Sequence, residues 1–247
     1  MTRLFGAELL KLRTIRTVWG YGLAAIVFGG LLAAGTIGSP PDDDRFAPDF
    51  QLDLVLSGAF PAVLLALLLG MLLFTNEFRH GTISRTLLVT PQRPVLVALK
   101  LMVGAAAGVG LALLAIATTA VIAVIWLGII DVPLELGDAA DATWRALLGA
   151  ALIGAFGAAV GGVIHSQVAA LVGTLIWLFV AEPIVWVLLG LVDLEGVADY
   201  LPGVTVLSIL DTEGENLSFA GTVGMAVIWT AVATALAVLR TSRKDIT

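Results

Sequence analysis

The sequence predicts an all-α, polytopic membrane protein of six transmembrane helices, and three observations carry that prediction. Hydrophobic residues make up 59% of the chain and charged residues 13%, where soluble domains hold nearer ~45–50% and ~25%. The mean hydropathy is +1.03, and the apolar residues gather in runs of about twenty, enough to cross a ~30 Å hydrocarbon core. Lys and Arg, finally, are confined almost entirely to alternate connections between those runs.

Residues 1–17 come first. Leu4, Phe5, Leu9, Leu12 and Ile15 fall on one broad arc at about 100° per residue, while Arg3, Lys11, Arg13 and Arg16 supply positive charge. This pattern predicts an amphipathic helix lying flat in a headgroup layer. Glu8 sits inside the apolar arc. Two accounts of it stand side by side: an i,i+3 pair with Lys11, or a contact with the basic stretch after the second span.

Span one is expected over 18–37, with Trp19 and Tyr21 in an interfacial aromatic belt. A Pro-broken acidic loop, with Asp42, Asp43 and Asp44, continues to Asp53 and leads to span two at 54–74. The polar stretch 76–94 follows; Gly81 can close a helix, and Pro91 or Pro94 can open span three at 95–127. A second acidic loop, Asp131 to Asp141, precedes span four at 146–164. Gly104 and Gly108 in span three, and Gly157 and Gly161 in span four, recur at four-residue spacing. They read either as close-packing faces or as chance in a Gly/Ala-rich chain.

Span five is expected over 168–190, interrupted at Glu182-Pro183, where Pro removes a backbone donor. Leu201 to Leu210 is too short to cross, so short re-entrant half-helices are expected before span six at 220–239. Glu182 lies about 21 Å along span five at 1.5 Å per residue. A carboxylate at that depth either faces a transport path beside Pro183 or is solvated where the span ends.

Orientation follows from charge alone. Arg3, Lys11, Arg13, Arg16, Arg79, Arg85, Arg93, Lys100, Arg240, Arg243 and Lys244 all fall on one side; only Arg45 and Arg145 fall on the other. The positive-inside rule puts that first side, with both termini, in the cytoplasm of a multi-pass cell membrane protein. The first apolar span is long and lacks a convincing cleavage site, which argues against a signal peptide.

The stretch from Asn76 to Lys100 also carries a resemblance. Asn76-Glu77-Phe78-Arg79-His80-Gly81-Thr82, then Leu87-Leu88, Pro91, Arg93 and Lys100, resembles the cytosolic loop of ABC-2-type transporter permeases. Ala7-Glu8-Leu9-Leu10-Lys11-Leu12-Arg13 is similar to the opening of that family. The resemblance spans essentially the whole chain. It implies the membrane subunit of an ATP-driven exporter for a hydrophobic or amphipathic compound such as a drug, antibiotic or lipid. A second permease, most simply a second copy, and two ATP-binding subunits carrying ATP and Mg would be its partners. Glu77, Phe78, Arg79, His80, Gly81 and Thr82 would couple to the ATPase, together with Glu8, Lys11, Arg13 and Arg16 of the interface helix. Glu182 and Pro183 would border the path.

Other chemistries find little footing. The chain has no cysteine, which removes disulfide and thiolate sites. His80 and His165 form no zinc-helix motif, no G-x-S-x-G elbow occurs, and no Gly-rich phosphate loop precedes any lysine. No catalytic residue, metal site or bound cofactor is therefore expected in this chain. A net charge of −6, sorted by side, gives no footing for nucleic acid. The rival class is a non-transport membrane protein, such as an assembly or immunity factor or a channel subunit. A channel should line its pore with several polar groups, and Glu182 is the clear candidate.

Overall fold

In the computed structural model, six helical stretches are long and apolar enough to cross a membrane: Arg16–Gly38, Pro48–Arg79, Arg93–Ile129, Ala139–Val163, Gln167–Gly190 and Phe219–Thr241. The structure describes residues 2–14, 16–38, 47–83, 92–135, 137, 139–208 and 218–243. No strand occurs among them. Leu87, Leu88 and Pro91 of the basic stretch, Asp42 to Asp44, and the end of the piece Leu201 to Leu210 lie outside the described residues.

The chain opens with α1 (Thr2–Thr14) and turns into α2 (Arg16–Gly38). Trp19 donates its indole N–H to the Arg13 carbonyl across this elbow, at 3.2 Å. The helix α1 thus stops at Thr14, short of the residue 17 expected for the first helix. Leu12 and Glu8 of α1 are buried while Leu9 and Leu10 are exposed, so the protected stripe follows i, i+4 rather than the full apolar arc.

Span two is longer than expected and broken. It comprises α3 (Pro48–Leu56) and α4 (Ala59–Arg79). Asp49 and Asp53 belong to the helix, not to an acidic loop: Pro48 occupies a first-turn position and Asp49 lies in that turn, where a carboxylate complements the helix dipole. At the break, Ser57-Gly58, the hydroxyl of Thr119 donates to the Val55 carbonyl. A β-carbon on Gly58 would lie 2.9 Å from the Ala115 carbonyl oxygen, so only glycine lets the bend lie against the next span.

That span is α5 (Arg93–Ile129), which starts at Arg93 with Pro94 inside its first turn. Then α6 (Ala139–Val163) begins seven residues before the expected start. Asp141 and Arg145 are an i,i+4 pair at 2.6 Å, and Asp141 also accepts from the Trp144 indole at 2.6 Å. Their mutual pairing lets a polar first turn join the helix.

Helices α4, α5 and α6 form the centre of the bundle, and glycine sets their spacing. A β-carbon on Gly104 would meet the Gly154 carbonyl oxygen at 2.5 Å, and one on Gly108 would clash with the Ala150 carbonyl. Gly157 and Gly161 abut the Leu67 and Met71 backbone of α4 in the same way. Both glycine pairs are therefore packing faces: where lipid replaces water, close backbone approach supplies the contact that hydrophobic burial cannot.

Span five consists of α7 (Gln167–Ile176), a π-helical turn (Trp177–Ala181) and α8 (Glu182–Gly190). It runs unbroken through Glu182-Pro183, which corrects the expected interruption. Widening the preceding turn to the π form makes room for a proline ring that a regular helix would reject. Two short helices, α9 (Glu195–Ala198) and α10 (Pro202–Ser208), precede the last span, α11 (Phe219–Arg243).

Candidate functional site

Four charged side chains meet where α1 crosses the ends of α4 and α5. Lys100, nearly two turns beyond Pro94 in α5, is 1% exposed. Its Nζ lies 2.9 Å from Glu77 Oε1 and 3.5 Å from Glu8 Oε2, and donates to the Leu73 carbonyl at 2.7 Å. The Phe74 ring sits 5.2 Å from the same nitrogen, close enough for a cation–π contact. Lys11 bonds Glu8 Oε1 and reaches Glu77 Oε1 at 3.3 Å.

Each side chain arrives there for a local reason. Glu8 and Lys11 share a face of α1 because residues three apart do. Glu77 is buried in the last turn of α4, which ends in a Schellman turn. The Thr82 N–H bonds the Glu77 carbonyl at 3.0 Å and the Gly81 N–H bonds the Phe78 carbonyl at 3.3 Å. Gly81 takes φ +64°, the left-handed conformation that closes this motif. Sequence reading assigned that role to Gly81, and the turn fixes where Glu77 stands.

Two carboxylates against two ammonium groups make the cluster neutral. A lone buried charge is costly, whereas a mutually paired and hydrogen-bonded set is tolerated; removing one partner then costs about 3–5 kcal/mol. Burial pushes the Glu8 carboxyl up, yet Lys100 and Lys11 outweigh it and hold Glu8 below the usual carboxylate range. Burial likewise opposes the charge on Lys11, but Glu8 and Glu77 raise it above the ordinary lysine value.

Both accounts of Glu8 are thus present in the structure. One carboxylate oxygen takes Lys11 and the other takes Lys100 of the stretch after span two. The other sequence-selected residues spread around the cluster. Arg79 is exposed and bonds Gln167 at 2.9 Å, stitching α4 to α7. His80 caps α4 through Nδ1 to the Asn76 carbonyl at 2.8 Å. Phe78 meets His165 edge-to-face, centroids 4.1 Å apart. Gly81, Arg13 and Arg16 are exposed, and Thr82 is half-buried.

Glu182 stands at the opposite end of the bundle. It is 3% exposed, so it is not solvated beyond the end of a span. Its Oε1 accepts the Val204 N–H at 2.6 Å, at the start of α10. A β-carbon on Gly203 would lie 2.6 Å from Oε2. The carboxylate faces this short helix, while Pro183 is exposed on the other side.

Sequence reading counted Lys100 among the basic residues and missed its central place. The signal was there: one lysine interrupts an otherwise apolar run from Val95 to Ile130, and such a residue normally has a buried partner. Gln51 was missed as well. It is 1% exposed, accepts the Glu135 N–H at 2.8 Å and donates to the Pro133 carbonyl at 3.3 Å, fastening α3 to the loop after α5.

No protein-family model matches the chain, and no curated protein matches it.

Proposed function

We propose that this chain is the permease subunit of an ATP-driven exporter, of the ABC-2 type its sequence motifs resemble. Its basic end would lie in the cytoplasm. The observation that carries the reading is the four-charge cluster, which ties an interface helix to the ends of two spans at one point. A partner pushing on α1 or on the end of α4 would move both spans together, because the buried charges cannot separate without uncompensated desolvation. Transmission of this kind needs an element that two sites can bias, and α1 with its ion pairs supports that role.

The residues divide by exposure. Arg13, Arg16, Arg79, His80 and Gly81 are accessible for docking an ATP-binding subunit, which would bring ATP and Mg. Glu8, Glu77 and Lys100 are buried and would transmit. Glu182 and the short helix α10 would form the outer boundary of the path, facing a second copy of the chain, with a hydrophobic or amphipathic compound as cargo.

The test is reconstitution with a Walker-type ATPase encoded beside this chain. Arg79→Glu should leave the permease inserted while lowering transport-linked ATP hydrolysis. Unchanged complex formation and transport would remove the coupling role. Reporters after Thr247 and between Arg85 and Leu88 should face the cytoplasm and one at Asp43 the outside; the reverse pattern would invert the assignment.

A further inference from the structure

A groove of about 870 Å³ opens between α1 and the bundle, beside the charge cluster. Its volume falls in the usual range for a small-molecule site, roughly 300–1,000 Å³. The walls are of two kinds. Leu4, Val18 and Leu73, all half-buried, form an apolar side, while Thr14, Thr17 and Asn76 supply hydroxyl and amide groups. Such a division suits an amphiphile rather than a purely polar or purely apolar molecule.

The charges narrow the class of head group. Glu77 lines the groove and is 8% exposed. Both lysines reach its Oε1, and its Oε2 is buried with no hydrogen-bond partner. An ionised oxygen left without a donor is unfavourable, and an N–H group supplied by an occupant relieves that cost. Lys11 and Arg79 also line the groove; the Lys11 side chain is 48% exposed and Arg79 is exposed. A head group that presents an ammonium to Glu77 and an anion to these cations satisfies both ends. Trp19, 68% exposed on the neighbouring elbow, marks the level at which indole rings favour the headgroup layer.

We propose that this groove holds a phospholipid with a zwitterionic primary-ammonium head group, its chains running past Leu4, Val18 and Leu73. The inference rests on the reading of the basic end as lying in a headgroup layer, and not on coupling to an ATPase. An occupant there would lie between α1 and the spans it is tied to.

Native mass spectrometry of the purified chain in mixed micelles tests this, with phosphatidylethanolamine, phosphatidylcholine and phosphatidylglycerol of matched chains. The expected result is retention of phosphatidylethanolamine over phosphatidylcholine by about tenfold or more, the ratio a charge-assisted hydrogen bond supplies. Glu77→Gln should abolish that preference. Thr17→Trp, which obstructs the groove and replaces none of the four charges, should lower phosphatidylethanolamine to the phosphatidylcholine level without loss of fold. Equal retention of the two by the wild-type chain would overturn the proposal. So would a preference for phosphatidylglycerol, which would mark a cationic rim only, or phosphatidylethanolamine retention unaffected by Thr17→Trp. If Thr17→Trp instead blocked an ATPase subunit with no change in lipid, the groove would be a protein-docking surface and the proposal would fail. Lipid preference is read without any ATPase, so its failure is distinguishable from failure of the transport reading.

Discussion

The two ends of the bundle each bury a carboxylate, and they hold it by different means. At the basic end, Glu77 and Glu8 are matched by two lysines from two further positions in the chain. At the other end, Glu182 has one oxygen on the Val204 amide; its Oε2, like Glu77 Oε2, has no hydrogen-bond partner among the described residues. The first arrangement ties three helices through full charges. The second fastens one seven-residue helix through a backbone group. Charge neutralisation favours rigidity, and a single amide permits release.

The largest expected effect follows from removing a charge at the paired end. Lys100→Met leaves two buried carboxylates with only Lys11 between them, and should cost about 3–5 kcal/mol. Thermal unfolding in detergent checks it. Adding Glu77→Gln to that variant should recover part of the loss, because the pair and not either member is what matters.

Effects at the Glu182 end should be smaller and local. Gly203→Ala drives a methyl into the Glu182 carboxylate, where crowding costs about 1–3 kcal/mol. Glu182→Gln retains an acceptor for the Val204 N–H and should cost under about 1.5 kcal/mol, the net worth of a typical hydrogen bond. Amide exchange at Val204 and Thr205 should rise clearly in the first variant and slightly in the second, with α1 unchanged in both. A rise in α1 would mean that the two ends are not independent.

A third contrast lies in pH. Because the folded Glu8 value is depressed, its contribution is full above the unfolded carboxylate value of about 4.3 and is lost as pH falls through the folded one. Lys11 behaves oppositely: its raised value gives stability below about 10.4 that is lost at still higher pH. Corrected for intrinsic rates, amide exchange in α1 should stay level between pH 5 and 8, estimated from those reference values, and rise below about 4. A steady change across the neutral range would contradict this.

Much of the fold was legible because a bilayer leaves few alternatives. Six apolar runs give six candidate spans, and each four-residue glycine spacing marks a face where backbones touch. The boundaries were less legible where polar residues satisfy one another. Asp141 and Arg145 look like loop residues until their pairing is seen, and Gln51 looks like loop until its two backbone partners across the bundle are known. Pro183 looked like a break because the sequence does not reveal that the preceding turn widens. The candidate site was half legible. Glu8 stood out as a charge in an apolar arc, but only three-dimensional packing brings it to Lys100, 92 residues away.

The central claim is that the buried charges hold α1 against the spans. The chain has no cysteine, so two can be introduced cleanly, at the exposed positions Arg13 and Met102. Spin labels there report the separation of α1 from α5 by pulsed electron resonance. A single narrow distance is predicted for the labelled chain, broadening into a wide distribution with Lys100→Met while labels confined to α4 and α6 stay narrow. An unchanged narrow α1–α5 distance in the Lys100→Met chain would contradict the account.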